Sequence, residues 1–560
     1  MFMKDLLVYL FSPCLLLLGL SACVASEKET TDPTKPNIIV IVADDLGMAD
    51  LGVFGGEIQT PNLDALANQS ITLRSFHTAA TCSPTRSMLM TGTDNHIAGM
   101  GSMREFMARS APHLMKKPGY EGVLNQRVAT LPEILTSEGY QAFMAGKWHL
   151  GDDEGELPVD RGFTHAFALM EGGASHMSDW GVKLPKGEAT YYNDNKVASL
   201  PKDFYSTVFY TDTMIDYLDK RDKSRPFMAY LAYTAPHWPL QAPAASIAKF
   251  KGQYDDGYEA LFKARFQRQK ELGLIAKDTP LPPLPAYIPA WDSLSAAQQA
   301  ESSRMMEVYA AMVADLDAQI GRFIDELKQR GEYDNSLIVF MSDNGAEDGD
   351  FNKFRVFLPI VKRCCDNSLE NIGNANSFVM YGAGWARAGS ASSAYAKGTN
   401  AEGGIRTPAF IRFPGDAHRG EMYQGVVSVM DILPTALHVA GIQHPAPTFN
   451  GRTVAMPLGM SLVSILNQPD LPLTPVPRSL GWELFSGKAY IDGDWKITLV
   501  TPPRGDNQWH LYNLSKDPGE SLDLKAQYPE KFEELKQKWQ KYSQETGVQD
   551  IKVGDTMNDH

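Results

Sequence analysis

Four stretches of this chain are mostly apolar rather than alternating, and then stop on polar or charged residues. Asn37-Ile38-Ile39-Val40-Ile41-Val42-Ala43 runs into Asp44-Asp45-Leu46-Gly47, and Tyr140 to Ala145 runs into Gly146-Lys147-Trp148-His149. Phe227 to Tyr233 ends at Thr234-Ala235-Pro236-His237, and Ser336 to Met341 ends at Ser342-Asp343-Asn344-Gly345. A strand with one wet face alternates apolar and polar residues. An unbroken run signals a strand buried on both faces, as in a parallel sheet covered by helices. In open α/β sheets ligands bind beyond the carboxyl ends of the strands. Four polar endings of complementary type therefore point to one site rather than to independent surface decoration.

The residue types indicate the chemistry. Asp44, Asp45, Asp343 and Asn344 are oxygen donors suited to a hard divalent cation; the lesser reading of Asp44 and Asp45 alone is a turn that caps a helix. Lys147 and His149 are two apart and share a face in extended backbone, which suits an anion and a proton. His237 sits on a loop between prolines. The stretch Thr81-Cys82-Ser83-Pro84-Thr85-Arg86 opens a helix, because Pro costs least in a first turn. Cys82 then lies at a helix N-terminus, among free N–H groups that favour an anion, with Arg86 one turn later. In isolation this is equally a buried structural cysteine and a surface arginine; the four strand ends weigh against that.

At 560 residues the chain has room for one large domain and a smaller one. A formal net charge of -15 argues against nucleic acid as a partner, and an anionic substrate would need a local cationic pocket. Residues 1–22 read as an export signal, ending Leu20-Ser21-Ala22-Cys23 in the manner of a bacterial lipobox. The expectation is an exported periplasmic or cell-surface lipoprotein, lipid-anchored through Cys23. Val24, rather than an aspartate, favours the outer membrane. Residues 23–36 read as a flexible tether. Residues 37–442 form the expected catalytic domain and 443–480 a Pro- and Leu-rich linker. Residues 481–560 form a small α+β subdomain ending in a charged amphipathic helix from Pro529 to Thr546. Long helices are expected over Tyr254 to Gly273 and Ser293 to Arg330. Of five cysteines, Cys14 and Cys23 belong to the leader. Cys364 and Cys365 are adjacent, as a vicinal disulfide or as free thiols, and Cys82 has no evident partner. Lys397, in a long Gly- and Ala-rich stretch, reads by itself as a solvated lysine.

Taken together, Cys82-Ser83-Pro84-Thr85-Arg86, Ala43-Asp44-Asp45-Leu46-Gly47, Gly146-Lys147-Trp148-His149-Leu150-Gly151, Ala235-Pro236-His237 and Ser342-Asp343-Asn344-Gly345 resemble the formylglycine-dependent sulfatases of the alkaline-phosphatase superfamily. The likeness runs across nearly all of residues 37–546 and is greatest to bacterial arylsulfatases. It implies an α/β fold with a large mixed, mostly parallel sheet flanked by helices, plus a small C-terminal α+β domain with an antiparallel sheet. It implies that a maturation enzyme oxidises Cys82 to formylglycine, whose hydrate is the nucleophile. Asp44, Asp45, Asp343 and Asn344 would bind a divalent metal, most often Ca2+. Arg86 would hold the formylglycine hydrate, Lys147 and Lys397 the sulfate oxygens, and His149 and His237 would handle protons. The chemistry fits these types: a sulfate monoester is a stable anion, so attack requires cations around it, and a covalent nucleophile with a second hydroxyl can expel sulfate without attack at sulfur. The implied reaction is hydrolysis of a small-molecule or sugar sulfate ester. The alternatives are a phosphonate monoester or phosphodiester hydrolase with the same modified nucleophile, and a binding lipoprotein never matured at Cys82.

Overall fold

The computed structural model describes residues 35–183, 187–350, 358–415 and 417–549. The leader, Cys14, Cys23 and the tether up to residue 34 lie outside the described residues. Among the described residues, no helix is long and apolar enough to cross a membrane.

Each apolar run is a strand, and the four are neighbours. A ten-stranded sheet contains β1 (Asn37–Ala43), β2 (Ile71–His77), β3 (Gln141–Lys147), β4 (His165–Leu169), β5 (Tyr191–Asn193), β6 (Lys196–Val197), β7 (Phe227–Ala232), β8 (Ser336–Ser342), β9 (Ala409–Arg412) and β10 (Met422–Ser428). Their order is β10-β2-β9-β8-β1-β7-β3-β4-β5-β6. Strands β8, β1, β7, β3 and β4 run parallel. Strand β9 is antiparallel to both β8 and β2, and β5 is antiparallel to β4. The sheet is therefore mixed and mostly parallel.

The lack of alternation in β1 has a direct cause. Ile38, Val40 and Val42 enter one core, and Ile39, Ile41 and Ala43 enter a second core on the opposite face. Each fully buried aliphatic side chain contributes roughly 1.5–3 kcal/mol, and both faces collect it. The first core includes α1 (Cys82–Thr91) through Met88, Leu89 and Met90. The second is filled from the opposite side by α4 (Ala296–Gln329), through Met306, Leu316, Ile320 and Phe323 among others. Ser295 starts α4 with a capping box to Gln298. Two shorter helices, α2 (Arg104–Ser110) and α3 (Ser206–Lys220), precede it in the chain.

A four-stranded antiparallel sheet follows, with β11 (Ser479–Leu484), β12 (Gly487–Asp492), β13 (Trp495–Leu499) and β14 (Trp509–Asn513). Helix α5 (Pro529–Thr546) packs Leu535 and Trp539 against Ile497 and Leu511. Both sheets belong to one compact unit beginning at Lys35. Trp482 ties them together by donating its indole N–H to the Thr78 carbonyl at 2.8 Å. The stretch expected as a linker carries a small hairpin, Thr448–Phe449 with Arg452–Thr453, and a helical turn, Val463–Leu466. Its Leu462 and Leu466 are buried in the main core. Cys364 and Cys365 are joined to each other, and Cys82 is the free, buried cysteine among the described residues.

Candidate active site

The sheet order explains why the four endings meet. Strands β8, β1, β7 and β3 are consecutive and parallel, so Asp343, Asp44, His237 and Lys147 leave the same edge side by side. Two glycines permit the close approach. Gly146 has φ +123°, and a Cβ there would lie 1.9 Å from the Ala232 carbonyl oxygen. A Cβ on Gly345 would lie 1.8 Å from the Gly403 carbonyl oxygen, so a side chain at either place would push the Lys147 strand or the Lys397 loop away.

Cys82 is the first residue of α1, as the sequence indicated, and its thiol lies 3.4 Å from Asp44 Oδ1. Lys147 Nζ donates to Asp44 Oδ2 at 2.8 Å. Arg86 reaches back one turn and donates to Asp343 Oδ2 from both Nε, at 3.0 Å, and Nη2, at 2.8 Å. Its Nη1 binds the Lys147 carbonyl at 2.9 Å, and its Nη2 lies 3.7 Å from Asp44 Oδ2. Lys397, from the long loop before β9, bonds Asp45 Oδ2 at 2.8 Å and contacts Glu347 Oε2 at 3.0 Å. Asn344 Nδ2 donates to Asp45 Oδ1 at 2.6 Å. His237 Nε2 stands 3.6 Å from Asp45 Oδ2, while its Nδ1–H is donated to the Trp238 carbonyl at 2.6 Å. His149 lies one step away: it lines the same cavity as Cys82, and its Nε2 is bonded to Glu105 Oε1 at 2.9 Å. All ten expected site positions therefore gather at one strand-end edge.

The cluster is buried and highly charged, so protonation is strongly biased. Burial is the largest influence on Asp44 and pushes its pKa up, but Lys147, Arg86 and Lys397 outweigh it and hold Asp44 below the usual range. For Asp45 burial wins over Lys397, with Asp44 and Glu347 adding to it, and its pKa rises to about 8. Burial also drives the Cys82 thiol well above its ordinary range, against the pull of Lys147 and Lys397. The unmodified thiol is therefore held protonated and is a poor nucleophile. His237 is pushed well below its ordinary value by burial, then by Lys397 and Lys147.

The donors fit a hard divalent cation. Atoms of Asp44, Asp45, Cys82 and His237 lie within 4.8 Å of one another. Asn344 Oδ1 is buried with no hydrogen-bond partner, a cost that a cation at that oxygen would remove. The carboxylate and amide oxygens of Asp44, Asp45, Asp343 and Asn344 suit a hard divalent cation better than a soft metal.

Above the cluster lies a cavity of about 440 Å³. Its floor carries Cys82, His149, His237 and Lys397, and its walls include Met103, Trp238, Tyr287, Phe485, Val500 and Pro502. Sequence reasoning missed the walls, several of them from the C-terminal sheet. It also missed Glu105 and Glu347, which bind His149 and Lys397. Nothing local marks either glutamate; Glu347, three residues after Asn344 in Asp343-Asn344-Gly345-Ala346-Glu347, was the more accessible of the two.

The sulfatase family model matches residues 36–442. The chain belongs to the sulfatase family. It is 45% identical over 524 residues to an uncharacterized sulfatase of Schizosaccharomyces pombe, covering 92% of this chain and 94% of that one. It is 42% identical over 451 residues to an arylsulfatase of Klebsiella aerogenes, covering 80% and 95%. Among solved structures it resembles one described in complex with its substrate D-glucosamine-2-N,6-O-disulfate, with TM-score 0.61 and 21% identity over 92% of this chain and 99% of that chain. This sulfatase-family chain is a sulfuric ester hydrolase with the alkaline-phosphatase-like fold expected from its sequence. Sulfatases of this family generally use formylglycine and a divalent metal, and the strand-end cluster has the donors for one.

Proposed function

We propose that the protein is an arylsulfatase-type hydrolase of sulfate monoesters in which Cys82, matured to formylglycine, is the nucleophile and Asp44, Asp45, Asp343 and Asn344 hold Ca2+. The observation that carries this reading is the position of Cys82. It sits at the floor of the cavity, 3.4 Å from Asp44 and beside two buried lysines, yet burial keeps its thiol protonated. As a hydrate, formylglycine supplies a hydroxyl to attack sulfur and a second hydroxyl through which the ester bond to the enzyme is later released. When bound, the cation would supply positive charge to offset that of the sulfate group.

The chain's own residues do the rest. Lys147 and Lys397 bind the sulfate oxygens, and both are kept charged although burial, the largest influence on each, opposes it: Asp44 holds Lys147 up and Asp45 holds Lys397 up. Arg86 is locked to Asp343, which fixes its guanidinium beside residue 82. His237 gives the leaving oxygen its proton. Its low basicity comes first from burial and then from the two lysines; an anionic ester bound between those lysines offsets their part of the repulsion and so favours the charged ring. His149 takes a proton from residue 82 when sulfate leaves.

Cys82, Ser83, Pro84, Thr85 and Arg86 are all buried in the folded chain. A formylglycine-generating enzyme must therefore act before α1 packs, and that enzyme is the expected protein partner. The export signal and Cys23 lipidation belong to the same reading, with the protein anchored to the outer membrane. The sequence Leu20-Ser21-Ala22-Cys23 supports this, and metabolic lipid labelling lost in Cys23→Ala tests it.

The decisive experiment is peptide mass spectrometry across residue 82, on protein made in a host with the maturation machinery, paired with sulfate release from an aryl sulfate. Conversion of the thiol to an aldehyde together with sulfate release is the expected result. An intact cysteine in that host would sink the nucleophile assignment. The aldehyde without sulfate release, but with release from a phosphonate monoester, would transfer the reading to that substrate class.

A further inference from the structure

We infer that Glu105 is a positioning residue for the reaction: its carboxylate fixes the proton of His149 on Nε2, leaves Nδ1 bare to accept a proton, and then faces the imidazolium so formed. The inference rests on the proton-handling role proposed for His149.

The geometry has three parts. Glu105 Oε1 is 2.9 Å from His149 Nε2. An ionised carboxylate only accepts, so the hydrogen in this contact belongs to Nε2, and the neutral ring keeps its lone pair on Nδ1. The Glu105 side chain is 45% exposed at the cavity; desolvation works against its charge, but His149 outweighs it and takes the pKa down to about 2, and water access supports the same charged state, so the carboxylate is ionised across the working range. His149 Nδ1 is buried with no hydrogen-bond partner in the protein. A buried ring nitrogen left without a partner carries a cost that a proton donor brought within reach of it would remove. Third, the pair is closely packed on one side. His149 holds φ +57°, and a Cβ on Gly172 would come within 2.8 Å of His149 Cε1 and 3.0 Å of Glu105 Oε1. The glycine backbone therefore leaves the room that the imidazole and the carboxylate occupy.

The arrangement assigns each group one task. Glu105 lies in the first turn of α2 and lines the cavity with His149 and Cys82. It touches neither Cys82 nor either sulfate-binding lysine by hydrogen bond, so it acts through the ring. Deleting its charge leaves His149 free to take either tautomer and leaves an imidazolium without a counter-charge.

The test is a double-mutant cycle on enzyme carrying the matured residue 82, with Glu105→Gln, His149→Ala and the double variant, read as kcat and KM on one aryl sulfate. Glu105→Gln is nearly isosteric and keeps the packing. It should lower kcat by roughly tenfold or more while KM stays within about twofold. In the His149→Ala background the same change should cost less than about twofold. Glu105→Ala should regain part of its kcat in added formate, and His149→Ala should not. Equal losses from Glu105→Gln in both backgrounds would show that Glu105 acts on structure or on another group, and would overturn the proposal. Full kcat in Glu105→Gln would overturn it as well. Full kcat in His149→Ala would remove the role of His149 itself, which is a separate failure and takes the proposal with it.

Discussion

Two buried ionic clusters in this protein look alike and differ in one respect. The first is the strand-end cluster, with Asp44, Asp45, Asp343 and Glu347 against Arg86, Lys147 and Lys397. The second lies between the loop after α1 and the C-terminal sheet. There His96 bonds Asp94 through Nδ1 at 2.8 Å and Glu483 through Nε2 at 3.1 Å. Tyr542 donates to the other oxygen of Asp94 at 2.8 Å, and the Ser486 backbone N–H to the other oxygen of Glu483 at 2.9 Å. Every polar side-chain atom of Asp94, His96 and Glu483 has a protein partner. The strand-end cluster is not closed in this way: Asn344 Oδ1 and, at its margin, His149 Nδ1 have none. A closed network holds parts of a protein together, while an open one leaves energy to be gained from a ligand. The two histidines show the contrast at the scale of one ring, since each faces a carboxylate but only His149 keeps a nitrogen in reserve.

The comparison breaks first at Cys82. Cys82→Ala should reduce sulfate release to background, while the thermal unfolding midpoint moves by no more than a few degrees, because the lost atom makes one weak hydrogen bond. Retained turnover in that variant would remove the open cluster from the chemistry. Exhaustive dialysis against a chelator comes next. It should abolish activity and lower the unfolding midpoint, since a ligand that binds only the folded state stabilises it. Added Ca2+ should restore both, and metal analysis of the active protein should give one equivalent. Activity that survives complete metal removal would count against the oxygen-donor reading of Asp44, Asp45, Asp343 and Asn344. Lys397→Ala should lower kcat/KM by roughly 10²–10³, the scale of losing one preorganised charge at a reacting anion. A change of less than threefold would show that Lys397 only balances Asp45.

The sequence carried the open cluster better than the closed one, for a physical reason. The strand-end residues follow runs such as Ile38 to Ala43 whose pattern reveals a parallel sheet, and a parallel sheet brings its carboxyl ends together by construction. Once the strands are recognised, the meeting of Asp44, Lys147, His237 and Asp343 follows. Lys397 had no such signal, because it arrives on a long loop and gains meaning only from Asp45. Glu105 and the walls at Phe485 and Val500 were invisible for the same reason: their contacts depend on how distant elements dock. The stretch 443–480 read as a linker from its Pro and Leu content, yet Leu462 and Leu466 are buried in the main core. A few apolar residues in an irregular segment cannot announce where they will pack. Asp94 and His96 are two residues apart, but Glu483 lies 387 residues beyond His96, and no motif links it to them.

The closed cluster makes the smallest and most specific prediction. His96 is fully buried, and burial works against its charge, but Asp94 and Glu483 win and raise its pKa to about 9 from an ordinary value of 6.5. Asp94, Glu483, Tyr120 and Tyr542 are the titratable groups that face it. A group whose pKa is raised in the folded state binds its proton more tightly there. Its stabilisation is complete below pH 6.5, declines as the unfolded chain loses the proton first, and is gone above about pH 9. The span of about 2.5 units sets an upper size on the order of 3 kcal/mol. His96→Gln should therefore unfold more easily than the parent protein at pH 6, by one to a few kcal/mol, and the gap should narrow steadily toward pH 9. Because His96 lies outside the strand-end cavity, kcat per folded molecule should not change. A gap that is constant with pH would mean that His96 is neutral in the fold and that the contact with Asp94 and Glu483 is an ordinary pair of hydrogen bonds. A fall in kcat without a fall in stability would mean that the seam between the two sheets positions the cavity wall at Phe485, two residues beyond Glu483, and that the two clusters are coupled after all.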